Sequence, residues 1–226
     1  MRLVLLIVCV PLAAAPATAR AQLCAGYAPL GRAPFQIAGN ATIYFEAMEY
    51  GVRLTYGARG PFLSAGVGHT VLDFVSDASW DLKMAAGWEL ALNRRRTFQV
   101  CPFAAVTRIV GPVGGPLDMG NTPNYDETDW QWGVGAGLLV RGPQEVEIAP
   151  TVSIAILRGE ATSTRISLVN SATATFGMLT LGLGVMFSRV VTVLPSVSLP
   201  IHQGVATPTY TLGIGLNFGH RISAGP

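Results

Sequence analysis

Lys83 is the sole lysine in 226 residues, and only 12% of the chain is charged. A soluble globular domain carries about 25% charged residues, so a large water-facing surface is poorly served here. Beyond residue 21 no apolar run reaches 18 residues, which excludes a membrane-spanning helix there. Also missing is any long Glu/Lys/Ala-rich stretch at helical spacing, so a helical domain is not expected. The chain has three histidines and three cysteines, which leaves little for metal or nucleophile chemistry.

What remains is hydrophobicity without continuity. Mean hydropathy is +0.43, and glycine numbers 26. Thr211-Leu-Gly-Ile-Gly-Leu-Asn-Phe218 alternates large apolar residues with small or polar ones. The same two-residue beat runs through Leu179–Val185 and Trp130–Ala136. In a strand alternate side chains point to opposite faces, so each segment has one greasy face and one small or polar face. Hydrophobic overall but never continuously so is the pattern of a β-barrel in lipid.

Residues 1–21 read as a cleaved signal peptide: Arg2, an apolar core from Leu3 to Leu12, and Ala19-Arg20-Ala21 before Gln22. The alternative is an uncleaved anchor, for which the apolar run is short. Removal takes Cys9, Arg2 and Arg20, leaving 205 residues with 13 basic and 13 acidic groups. A neutral mature chain gives no reason to expect a nucleic-acid partner. Cys24 and Cys101 remain, and export favours a disulfide between them, a lipid-modified Cys24 being the rival. Four regions follow: signal peptide 1–21, periplasmic tail 22–33, barrel 34–220 and C-terminal tail 221–226.

Ten strand candidates are legible: Phe35–Glu46, Tyr50–Tyr56, Phe62–Phe74, Trp80–Leu92, Thr97–Val110, Asp129–Arg141, Val146–Leu157, Thr175–Ser188, Thr192–Ile201 and Thr209–His220. Most match the ~9–11 residues of a tilted spanning strand. Short turns alternate with longer connections at 75–79, 111–128, 158–174 and 202–208, while the first, 47–49, is tight. The expected fold is all-β, an antiparallel up-and-down transmembrane barrel of ten strands, with eight as the alternative. An even count puts both termini on the periplasmic side. Charge sign follows this orientation. Glu46, Glu49, Asp73, Asp77, Asp118, Asp126, Glu127, Asp129 and Glu160 collect at the outer ends, and Arg59, Arg94, Arg95, Arg96 and Arg189 at the turns.

On the same alternation Arg53, Asp81, Lys83, Glu89, Gln131, Glu147 and Asn217 face the lumen. Trp130, Trp132, Leu181, Leu183, Leu212, Ile214, Leu216 and Phe218 face lipid. Trp80, Trp130 and Trp132 near one rim, with Trp88, Phe98 and Phe218 near the other, suit two interfacial girdles.

With signal, alternating strands, short-long connections and a closing strand 209–220, the chain resembles the small outer-membrane β-barrels of bacteria, the OmpA-type and porin-like group. That resemblance implies residence in the outer membrane as a monomer, with lipid and the barrel-assembly machinery as partners. Members commonly end on an aromatic residue, whereas Phe218 is followed here by eight more. Enzymatic barrels of the omptin type carry Asp-x-His, and lipid deacylases His-x-Ser. Neither pattern occurs at His69, His202 or His220. No catalytic residue, cofactor or metal is therefore expected, although Asp118, Asp126, Glu127 and Asp129 offer oxygen ligands of the kind Ca²⁺ takes. The functional readings are a structural or surface-interacting barrel, a small passive channel with a charged lumen, and a secreted soluble barrel holding an apolar ligand.

Overall fold

The computed structural model describes residues 35–218 apart from 45–46, 58–59, 73–77, 95–96, 113–123, 143–145, 166–167, 189 and 202–206. Ten antiparallel strands run β1 (Phe35–Ile43), β2 (Ala47–Gly57), β3 (Pro61–Leu72), β4 (Ala78–Trp88 with Leu90–Ala91), β5 (Phe98–Pro112), β6 (Asn124–Leu138 with Val140–Arg141), β7 (Glu147–Arg165), β8 (Leu168–Phe187), β9 (Val191–Pro200) and β10 (Thr209–Phe218). Each pairs with its neighbour in sequence, and β1 pairs with β10, so the sheet closes on itself. A closed sheet leaves no edge within the apolar belt, which backbone polar groups need in hydrocarbon.

Summed over the ten interfaces, the registers advance 12 residues per circuit. Ten strands with that shear tilt about 40° from the axis. One circumferential row, Ile43, Tyr210, Val197, Leu181, Val152, Ala136, Val100 and Leu90, carries mostly apolar residues.

Three interruptions in the ladder have one cause. Trp88 of β4 stands opposite Pro102, Leu138 of β6 opposite Pro150 and Leu183 of β8 opposite Pro195, by continuation of the registers on either side. Proline has no N–H to give, so pairing lapses for two residue pairs and resumes in the same register. At the first two gaps Glu89 N–H donates to Gly60 O (2.6 Å) and Leu139 N–H to Thr97 O (2.7 Å). Gly60 has φ +128° and lies against Trp88, so a side chain there would be strained and crowded.

Two expectations about connections are corrected. The first turn precedes Ala47 rather than spanning 47–49: Ile43 pairs with Met48, and Tyr44 N–H donates to Ala47 O (2.9 Å). Residues 158–174 are not a loop. β7 and β8 continue through them as a paired hairpin from Arg158↔Thr175 to Arg165↔Leu168. These strands of 19 and 20 residues are about twice what a bilayer requires. Apolar residues were not needed to keep them extended, because hydrogen-bonded partners lie on both sides of β7.

Candidate functional site

The alternation has a physical outcome at every strand. Outward residues are large, apolar and exposed, among them Trp130 (48%), Ile214 (53%), Trp132, Leu181, Leu183, Leu212, Leu216 and Phe218. Inward residues are mostly small or polar, with Phe62, Phe103, Met186 and Leu194 among the large apolar exceptions, and they build the lumen.

At the short-turn end that lumen is filled. Gln36 Nε2 donates to Asn217 Oδ1 (3.0 Å), and Asn217 Nδ2 donates to Thr192 Oγ1 (3.1 Å) and contacts Met186 Sδ (3.6 Å). Phe62, Cys101, Phe103 and Ala155 form an apolar cluster beside them. Glu89 and Glu147 are buried at this level, with Arg141 Nε 3.6 Å from Glu147. Buried amides and hydroxyls of this kind are stable only when hydrogen-bonded, and this network supplies partners for all of these side chains' groups named here except Gln36 Oε1.

Farther along the axis a polar cavity of about 220 Å³ opens, lined by Arg53, Thr107, Gln131, Ser196, Thr211 and others. On its wall Glu49 gathers three partners. The Tyr44 hydroxyl donates to Oε2 (2.7 Å), Asn40 Nδ2 reaches Oε1 (3.5 Å), and Lys83 Nζ closes an ion pair with Oε1. Asp81 stands 3.5 Å from the same ammonium. Gly68 makes room: a Cβ there would sit 2.3 Å from Asp81 Oδ2. Thr42 and Thr211 share a hydrogen bond of 3.1 Å across the β1–β10 seam.

Arg53, Asp81, Lys83, Glu89, Gln131, Glu147 and Asn217 thus all stand on the inward face, at three different levels. Sequence reasoning assigned Glu49 to an outer loop, whereas the structure buries it in the lumen. Its parity with Arg53 and Thr55 was the available signal, obscured by placing the turn three residues late. Strand alternation also splits the acidic group: Asp126 pairs outside with Arg108 (2.8 Å), while Asp129 lies over Gly159 on the inner wall. Among the described residues no three His, Cys, Asp or Glu side chains converge as metal ligands. Asp118, His202, His220 and Cys24 lie outside the described residues. His69 points outward and meets the Trp80 ring edge-on at 4.7 Å, an aromatic contact at the rim.

Cys101 is fully buried on the lumen side of β5 and is disulfide-bonded.

No protein-family model and no curated protein sequence matches the chain. Solved structures do. The translocator domain of autotransporter NalP from Neisseria meningitidis superposes with a TM-score of 0.50 at 10% identity, over 81% of this chain and 87% of that one. An apolar outer wall around a closed, polar-lined lumen is the arrangement that lipid demands. The chain shares that domain's fold, a closed antiparallel β-barrel. Two further outer-membrane barrels are similar to it. The N-terminal β-barrel domain of Pseudomonas aeruginosa OprF (TM-score 0.36, 14% identity) matches over 81% of this chain and 96% of its own. Ail of Yersinia pestis (TM-score 0.37, 15% identity) matches over 82% and 99%.

Proposed function

We propose that this chain is an outer-membrane barrel, that it is non-enzymatic, that its lumen is closed to solutes, and that its role is structural or surface-interacting. One observation carries the reading. Inward polar side chains hold one another at two levels of the lumen, in the Gln36–Asn217–Thr192 layer and in the Glu49–Lys83–Asp81 group at the cavity, which supports a lumen spanned by fixed polar groups rather than open water. The long β7–β8 hairpin, with Arg158 and Glu160 paired at 2.8 Å, supports a contact surface beyond the bilayer. In this reading the short turns are periplasmic and the barrel works as a monomer. The assembly machinery engages Thr209–Phe218, and lipid is the sole obligatory partner.

Planar-bilayer recording of the refolded protein tests it. No discrete open steps are expected. Steps that vanish when Arg53 and Lys83 are neutralised would overturn the closed lumen and favour a passive channel for hydrophilic solutes, the reading that the polar cavity supports. An epitope inserted between residues 166 and 167 should be reached by antibody on intact cells. Access only after permeabilisation would reverse the orientation.

A further inference from the structure

Strands β5 to β8 run past the rest of the wall and stay paired with one another, as a projecting sheet with two edges. Beyond the last β4–β5 pair, Trp80↔Val110, only Gly111 and Pro112 of β5 run on. Pro112 has no N–H to offer a neighbouring strand, so that edge is short and blunt. The other edge is β8. Its pairing with β7 is continuous from Leu168↔Arg165 to Met186↔Glu147. β9 covers it only from Met178, opposite Pro200, and through Ile201 N–H, which donates to Gly177 O (2.9 Å). Among the described residues, Leu168–Phe176 therefore has a ladder partner on one side alone.

Gly177 turns its carbonyl toward β9, so by the two-residue period of a strand Thr175, Thr173 and Ser171 turn N–H and C=O to the same side. Ala174 and Ala172 turn theirs to β7, opposite Gly159 and Ala161. Every residue of Ser171–Thr175 is exposed, on both faces of the sheet. Natural sheets protect such an edge with lysine, proline, a bulge or a covering element. Leu168–Phe176 contains no lysine, no proline and no charge, and its register has no bulge. A row of donors and acceptors left open in this way is completed by an added strand.

The inner face of the same sheet favours one kind of strand. From the edge inward run Ala174, Gly159 and Asp129 in one row, and Ala172, Ala161 and Glu127 in the next. Both carboxylates lean over Gly159: a Cβ there would lie 2.7 Å from Asp129 Oδ1 and 3.4 Å from Glu127 Oε1. Asp129 Oδ1 accepts no hydrogen bond, and none of the ion pairs among the described residues includes Asp129. We propose that Ser171–Thr175 takes up an extended strand of a partner polypeptide, with an arginine opposite Ala174 that pairs with Asp129. Two strand spacings, roughly 10 Å, separate such a strand from Gly159. On the concave inner face an extended arginine and a charge-assisted hydrogen bond of about 2.8 Å span that gap. A second copy of this chain would bring no cation, because its own Leu168–Phe176 has none. The proposal rests on the surface-interacting reading and gives that surface a partner.

Two measurements on the refolded chain in micelles test it, with a capped, fluorescently labelled threonine–valine peptide bearing one central arginine as the probe. Its anisotropy should rise saturably. Affinity should fall about tenfold or more when glutamine replaces the arginine, and equally in Asp129→Asn, the worth of one hydrogen bond between charged groups. In Thr173→Pro, shown folded by heat-modifiable migration, binding should be lost. The N–H removed there faces the free edge, so the barrel keeps its own ladder. In the wild type the amide protons of Ser171, Thr173 and Thr175 should exchange faster than those of Ala172 and Ala174, and saturating peptide should slow them about tenfold or more. No saturable binding, equal affinity without the arginine or without Asp129, or unchanged exchange at Thr173 and Thr175 would overturn the proposal. Conductance and antibody access report separately on the closed lumen and the orientation, so each reading can fail alone.

Discussion

Lys83 on β4 reaches Glu49 on β2 across β3, where Gly66 stands opposite Lys83, Thr70 opposite Glu49 and Gly68 between them. Two strands apart, the pair can meet because Gly68, midway along the diagonal, presents no side chain. Lys83→Met should lower unfolding stability in micelles by about 1–3 kcal/mol, since Glu49 then stays buried without its cation. The loss falls below that of a fully buried pair because the Lys83 side chain is 39% exposed and partly screened. Glu49→Gln should cost less, as the amide keeps an acceptor for Tyr44. Urea titration of both variants checks the order, and a larger loss for Glu49→Gln would contradict it.

Gly133 and Gly213 both face the lumen, with opposite tolerance. A Cβ at Gly133 would lie 2.3 Å from Ile154 O and 2.7 Å from Ala155 Cβ, atoms fixed by the sheet. The nearest atom to one at Gly213 is 3.6 Å away. Gly133→Ala should therefore destabilise the barrel by about 1–3 kcal/mol through overpacking. Gly213→Ala should leave the unfolding midpoint within error, and equal effects would refute the distinction.

Ile214 stands mid-strand on the outer face of β10. Ile214→Arg should cost about 2–4 kcal/mol in lipid vesicles, the penalty for a cation near the bilayer midplane. A neutral result in reversible unfolding would place this wall outside hydrocarbon.

Trp80, Trp88, Trp130 and Trp132 all project from the outer wall. Lipids brominated on their acyl chains should quench most of the tryptophan emission of the reconstituted protein. Emission unaffected by bromine but quenched by aqueous acrylamide would count against lipid contact.

The barrel was legible where apolar residues mark one face. Leu212, Ile214 and Leu216 against Gly213, Gly215 and Asn217 leave a single register in which grease meets lipid. Legibility ended where both faces meet water. Glu160-Ala-Thr-Ser-Thr-Arg165 and Asn170-Ser-Ala-Thr-Ala-Thr175 show no apolar face, so they resemble a loop, yet pairing between them keeps them extended. The lumen was legible by parity, residue by residue. Its internal partners were not: Glu49 with Lys83 and Gln36 with Asn217 depend on strand neighbours and shear, which parity alone does not convey.

The seam between β1 and β10 also sets a clock. Gln36 and Asn217 are 181 residues apart, and their hydrogen bond joins the first strand to the last. The ring is complete only when this pair and the eight strands between it are all in place, so the seam is the contact of longest sequence separation in the sheet and the one that makes the barrel's topology slow to search.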